Sequence, residues 1–249
     1  MATASRELAA RLGLPLISAP PESGLWLQWT TAGLALLAGA TRPQRLIVDF
    51  AAGAQGHRAA QLGHRRELVA RACGVGGGRD GSIVDATAGL GRDGFVLAAL
   101  GARVTMLERS PILGELLADG LQRARQAGHA EIVERISLIT TEAAEWLPLQ
   151  SAETPPRVVY LDPMYAETRR RAAAGKALAM LQKLLEPDDD ADALLDVAHT
   201  VATERVVVKR HRKAAPLGAK APDYALTGRS TRFDVYRVSA APPVGNEES

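Results

Sequence analysis

The chemistry in this chain is carried by a few acids and glycines set at the ends of apolar runs. In Ser82-Ile-Val-Asp-Ala-Thr-Ala-Gly-Leu-Gly-Arg-Asp-Gly94 an apolar run ends in Asp85, turns through Gly89 and Gly91, and enters a helical pattern. Glycines let the backbone approach a ligand closely, and the helix that follows offers unpaired N–H groups. Glu108 closes the next apolar run, about twenty residues past the turn, where an acid bonds ribose hydroxyls in nucleotide-binding βαβ units. The turn lacks the full six-residue dinucleotide pattern. An acid at position 85 would repel a pyrophosphate but suits a cationic methionine moiety. S-adenosylmethionine (SAM) is therefore expected in preference to NAD. Glu142, after the third apolar run, reads either as an adenine contact or as an acid at a helix start.

The second signal is Val158-Val-Tyr-Leu-Asp-Pro-Met-Tyr165. Pro163 fixes its own φ and biases Asp162 toward extended backbone. An acid on such a turn can accept hydrogen bonds from an exocyclic amine. Tyr165 offers a flat face for an extruded base. An aromatic amine is a poor nucleophile, so orienting it beside an electrophilic methyl supplies much of what catalysis needs. Asp162 and Tyr165 are the expected catalytic residues, and no metal is expected.

Strands alternating with helices must position these groups. The spacing predicts strands at 83–85, 103–107, 136–139, 158–161 and 205–208, with an antiparallel strand at 232–238. Helices are predicted at 93–100 (closed by Gly101), 111–126, 172–185 and 191–203. That pattern is an α/β, doubly wound, mostly parallel sheet. Ligands in such sheets lie outside the carboxyl ends of the strands. Asp85, Gly89, Gly91, Glu108 and Asp162 all fall there. Before the glycine run at 74–78 the chain reads as a small N-terminal subdomain, with strands at 25–29 and 45–50 and a helix at 67–73. The expected division is 1–75 for a substrate- or RNA-binding subdomain, 76–239 for the catalytic domain, and 240–249 for a loose tail.

The 249 residues are 47% hydrophobic, enough for a sizeable core. The single cysteine, Cys73, excludes an internal disulfide and reads as a small buried apolar residue. No leader pattern follows Met1, and the longest apolar stretch, about 32–40, is too short to span a bilayer. A cytoplasmic protein is expected. Net charge is only +2, yet basic residues cluster. One group contains Arg58, Arg65 and Arg66; the other contains Lys209, Arg210, Arg212 and Lys213. Two such segments point to one basic face and an RNA partner.

Five segments together closely resemble the RsmJ-type small-subunit ribosomal RNA methyltransferases. They are Asp-Ala-Thr-Ala-Gly-Leu-Gly-Arg-Asp (85–93), Met-Leu-Glu-Arg (106–109), Val-Val-Tyr-Leu-Asp-Pro-Met-Tyr (158–165), Arg-Val-Val-Val-Lys-Arg (205–210) and Arg-Phe-Asp-Val-Tyr (232–236). The resemblance covers roughly residues 45–238. It implies a Rossmann-like class I SAM-dependent fold and methyl transfer to guanine N2 near the 3′ end of 16S rRNA. It also implies that Arg92, Asp93, Glu108, Arg109 and Asp162 contact SAM, with Glu142 and Ala143 filling the pair after the third strand. The chain departs from the family pattern after Tyr165, where Ala166-Glu-Thr-Arg-Arg-Arg171 replaces a proline and a lysine-rich stretch.

Two other functions fit parts of the sequence. An adenine-N6 methyltransferase of RNA or DNA would use the same Asp-Pro-X-aromatic turn. A non-catalytic RNA-binding assembly factor would keep the fold, but the intact Asp85, Glu108 and Asp162 argue against it. A dehydrogenase lacks a catalytic His or Tyr-Lys pair at a strand end.

Overall fold

A computed structural model describes residues 2–39, 42–51, 67–76, 81–150, 154–163 and 190–238. Among the described residues the main sheet has seven strands in the order β6-β5-β4-β7-β8-β10-β9. They are β4 (Ser82–Asp85), β5 (Arg103–Glu108), β6 (Ile136–Thr140), β7 (Val158–Leu161), β8 (Arg205–His211), β9 (Tyr224–Thr227) and β10 (Thr231–Arg237). Strands β4 to β8 run parallel, and β10 lies antiparallel between β8 and β9. The chain builds β4, β5 and β6 outward on one side, then returns to add β7 on the other side of β4. The crevice outside the carboxyl ends of β4 and β7 is thus the topological switch point.

The central strands are apolar on both faces, as parallel strands covered by helices must be. Val158, Val159 and Leu161 of β7 and Val206 to Val208 of β8 are all fully buried. One face carries α2 (Leu68–Ala72), α3 (Arg92–Ala99) and α4 (Pro111–Ala124), with Phe95, Leu113 and Leu117 in its core. The other carries α6 (Ala143–Trp146) and α7 (Ala191–Val201) around Leu147, Leu195 and Tyr236. Pro111 opens α4, and the Ser110 hydroxyl caps it by accepting from the Leu113 N–H at 3.4 Å. The predicted helix at 111–126 instead widens after Ala124, where Gly128 adopts φ +95°, and resumes as α5 (Ala130–Val133).

The N-terminal segment holds α1 (Ala2–Leu12) and a three-stranded antiparallel sheet, β1 (Leu25–Thr30), β2 (Gly33–Ala38) and β3 (Gln44–Leu46). The sheet is laid on α4. The Leu34 N–H donates to Asp119 Oδ2 at 3.0 Å, and the Arg123 guanidinium grips both Asp119 and the Val48 carbonyl. Phe50 stacks on Phe95 with centroids 4.5 Å apart, so both parts share one apolar core. Two elements here were not predicted. Helix α1 lies in a mixed-charge stretch, and β2 is the apolar run at 32–40. The strand predicted at 45–50 stops at Leu46. The helix predicted at 172–185 lies outside the described residues. No helix among the described residues is long and apolar enough to cross a membrane.

Candidate active site

At the switch point lies a cleft of about 270 Å³. The β4–α3 turn, the ends of β5 and β7, the start of α6, α7 and the end of β8 form its walls. Asp85, Gly89, Arg92, Asp93, Glu108, Arg109, Glu142, Ala143 and Asp162 all line it. The structure therefore brings together nine of the ten residues assigned to the cofactor.

Gly91 is the exception. It begins α3 in left-handed backbone at φ +68°, turned toward the core. A Cβ there would sit 2.6 Å from Leu117 Cδ2 and 3.1 Å from Phe50 Cζ. This glycine permits helix packing rather than ligand approach. Gly89, at φ +55°, has no atom nearer than 3.9 Å on that side and borders the cleft.

Glu108 organises one end of the cleft. It is 5% exposed, and its two carboxylate oxygens accept from the Gly89 and Ser110 N–H groups, each at 2.8 Å. These charge-assisted bonds fix the carboxylate plane and tie β5 to the glycine turn. Ionised oxygens keep further lone pairs for ligand hydroxyls. Thr87 ties the other side together: its hydroxyl accepts from the Asp162 N–H at 2.6 Å. Asp85 is 2% exposed and accepts from the Thr87 N–H at 3.3 Å. Burial, with the nearby Asp93 charge adding to it, pushes the Asp85 pKa up to about 8.

Next to Asp85 sits a compact ionic network. Lys209 Nζ donates to Asp93 Oδ2 at 2.7 Å and to Asp162 Oδ2 at 2.8 Å. The Tyr160 hydroxyl donates to the same Asp93 oxygen at 2.6 Å. Burial, then Asp93, holds the Tyr160 phenol neutral and well above its ordinary range. Neither Tyr160 nor the inward role of Lys209 was predicted. Lys209, which its sequence neighbours group with the basic surface, is not part of it: it continues β8 beyond three fully buried valines, onto the strand end that meets Asp162.

Arg210 needs the same correction. It is 9% exposed, and its guanidinium donates twice to the Ala215 carbonyl, at 3.1 and 2.7 Å. Arg212 and Lys213 are exposed. They lie past the carboxyl end of β8, beside the β9–β10 turn that carries exposed Arg229; the Arg212 N–H donates to the Ser230 carbonyl at 3.0 Å. Tyr165, Arg58, Arg65 and Arg66 lie outside the described residues.

The donor set fits SAM. Among the described residues, six carboxylic side chains line the cleft (Asp85, Asp93, Glu108, Glu142, Asp162 and Asp190) against three cations (Arg92, Arg109 and Lys209). That excess opposes a pyrophosphate and favours a sulfonium and an ammonium. A fixed carboxylate at Glu108 has the chemistry to accept from ribose hydroxyls, and Gly89 leaves room for a ligand against the backbone.

Comparison with known proteins points the same way. The sequence profile of a SAM-dependent methyltransferase family (SAM_MT) matches residues 7–238. Ribosomal RNA small subunit methyltransferase J of Alkalilimnicola ehrlichii is 50% identical over 94% of this chain and 90% of its own length. The protein of the same name from Thioalkalivibrio sulfidiphilus is 45% identical over 92% and 91%. A crystal structure of a SAM-dependent methyltransferase from Neisseria gonorrhoeae superposes with a TM-score of 0.75 at 38% identity, covering 99% of this chain and 96% of that one.

Proposed function

The chain belongs to the small-subunit ribosomal RNA methyltransferase J family of SAM-dependent enzymes, and from that premise we propose that it methylates the exocyclic N2 of a guanine near the 3′ end of 16S rRNA. The observation that carries the reading is the position of Asp162. Its carboxylate stands at the switch point, inside the acidic cleft and on the sheet end that bears Arg212, Lys213 and Arg229.

Bound in the cleft, SAM supplies an electrophilic methyl on a sulfonium. Glu108 holds the ribose hydroxyls, and Asp85, Arg92, Asp93 and Arg109 surround the amino-acid end. Glu142 and Ala143 border the adenine. Asp162 accepts the N–H of the guanine amine and turns the nitrogen lone pair toward the methyl. A carboxylate accepts but does not donate, so it selects an amino group over a ring carbonyl. As the new N–C bond forms and the C–S bond breaks, positive charge grows on the amine. Asp162 stabilises that charge and can take the departing proton. Tyr165 supplies the stacking face for a base drawn out of its helix. Arg212, Lys213 and Arg229 meet phosphates of the flanking RNA, and Arg58, Arg65 and Arg66 are further candidates for phosphate contact by their charge alone. Acting on ribosomal RNA, the enzyme works in the cytoplasm.

Transfer of tritiated methyl from SAM to small-subunit RNA, followed by nucleoside analysis, tests the reading. The label is expected in N2-methylguanosine. Label in N6-methyladenosine instead would favour the adenine enzyme, and SAM binding without any transfer would favour an assembly factor.

A further inference from the structure

Methyl transfer to an amine held by Asp162 needs that carboxylate ionised and correctly turned, yet the residue sits among acids. Beyond burial, Asp93 of α3 and Asp162 both raise the pKa of Asp85 of β4, and all three charges raise that of the Tyr160 phenol. Tyr160 of β7 adds a hydroxyl on Asp93, and Arg92 and Glu108 line the same cleft. Like charges gathered at one site drive protons onto some of the carboxylates. A protonated Asp162 would be a poor acceptor for an amine.

Lys209 contacts both Asp93 and Asp162, and its side chain is only 28% exposed. Its ammonium donates inward to these two carboxylates, at 2.7 and 2.8 Å. Burial alone would favour its neutral amine, but Asp162 and Asp93 outweigh burial and raise its pKa above the ordinary value. Its backbone is fixed by β8, which pairs with β7 on one side and β10 on the other. Lys209 also opposes Phe233 across the β8–β10 pair, so the strand cannot slip without unpairing this register.

We propose that Lys209 is a positioning residue for the methyl-accepting base: bridging Asp93 and Asp162, it fixes the orientation of the Asp162 carboxylate and keeps it ionised in an acidic cleft. This rests on the assignment of Asp162 as the amine acceptor. Lys209 itself does not touch the transferred methyl. It acts through Asp162, and the network couples α3, β7 and β8 into one rigid wall. The arrangement also explains why a lysine at the end of a central strand is compatible with folding: each charge that is buried has a partner in hydrogen-bond contact.

The test compares wild type, Lys209→Met and Lys209→Arg in methyl transfer to small-subunit RNA across pH, with thermal melting as a check on folding. Lys209→Met is expected to lower kcat about a hundredfold and to move the acid limb of the kcat–pH profile up by about 1–3 pH units. Calorimetric affinity for S-adenosylhomocysteine is expected to fall by less than kcat does, since Glu108 and the glycine turn are untouched and, around the amino-acid end, only Asp93 loses a partner. Lys209→Arg, which keeps the charge, is expected to hold the wild-type acid limb while losing part of kcat. A carboxyl NMR titration of the cofactor-free protein, with the Asp162 signal assigned through Asp162→Asn, gives a reading independent of turnover: the signal is expected to titrate higher in Lys209→Met. Should that variant melt early, Lys209→Gln, which keeps a donor without the charge, takes its place in every measurement. A folded Met or Gln variant with wild-type kcat, acid limb and carboxyl titration overturns the proposal. A wild-type protein that transfers no methyl to the RNA overturns the Asp162 assignment as well, so the two failures are told apart by the wild-type lane.

Discussion

The Gly89 N–H donates to Glu108 Oε2 at 2.8 Å, tying the glycine turn of one strand to the terminal acid of the next. Because Ser110 holds the other oxygen at the same distance, Glu108 is set before any ligand arrives. A preset acceptor loses little freedom on binding, which is where much affinity is otherwise lost. Glu108→Ala is expected to weaken SAM binding tenfold to a hundredfold, since a charge-assisted bond contributes roughly 1.5–3 kcal/mol. Isothermal calorimetry checks it. An unchanged dissociation constant would reduce Glu108 to a scaffold for the turn.

The two glycines of the turn should separate cleanly. Gly91→Ala puts a methyl 2.6 Å from Leu117 in left-handed backbone. Strain and overpacking together should cost roughly 2–4 kcal/mol in urea unfolding. Gly89→Ala meets no atom closer than 3.9 Å and should cost only about 1–2 kcal/mol, from backbone strain. Yet Gly89→Ala is the variant expected to impair SAM binding, because Gly89 and not Gly91 lines the cleft. The reverse ranking in calorimetry would return Gly91 to the binding site.

Asp85 makes stability depend on pH in an unusual direction for an acid. Its pKa is about 8 in the folded protein and about 4 in an unfolded chain. Between those values the folded state holds the extra proton. Its stabilising contribution is therefore complete below about pH 4 and is lost as pH rises toward 8, by up to ~1.4 kcal/mol per pH unit. In the cofactor-free protein, Asp85→Asn is expected to remove that slope. Urea midpoints at pH 5, 6, 7 and 8 measure it, and parallel curves for wild type and variant would show that Asp85 is ionised when folded.

Much of the catalytic half could be read from the sequence, because parallel strands buried on both faces stand out as short apolar runs ending in acids. Asp85, Glu108 and Asp162 all follow from that pattern. Lys209 did not, because it precedes Arg210, Arg212 and Lys213 and a run of charges resembles a solvated face. The available signal was its place directly after Val206, Val207 and Val208: a lysine continuing a strand buried on both faces must find its partner inside. Helix α1 was hidden by its mixed charges. Strand β2, apolar throughout, carries no alternation because Leu34 to Leu37 are buried on both sides. Gly91 was indistinguishable from Gly89 in sequence, since only the packing of Leu117 and Phe50 separates their roles.

The corrected basic edge changes which residues should govern RNA binding. Replacing Arg212, Lys213 and Arg229 by Ala is expected to flatten the salt dependence of RNA affinity by about two to three logarithmic units per decade. SAM affinity should not move. Arg210→Ala should instead lower stability, because its guanidinium closes the loop at Ala215. Filter binding at several salt concentrations decides it. A triple variant with the parent slope would leave the phosphate contacts to other residues.

The most direct measurement is mass mapping of small-subunit ribosomal RNA from cells lacking this protein, complemented with wild type or with Asp162→Ala. Loss of one N2-methylguanosine near the 3′ end is predicted, restored by wild type and not by a folded, SAM-binding Asp162→Ala. Identical RNA in all strains, or full restoration by Asp162→Ala, would contradict the assignment of Asp162 as the residue that presents the guanine amine.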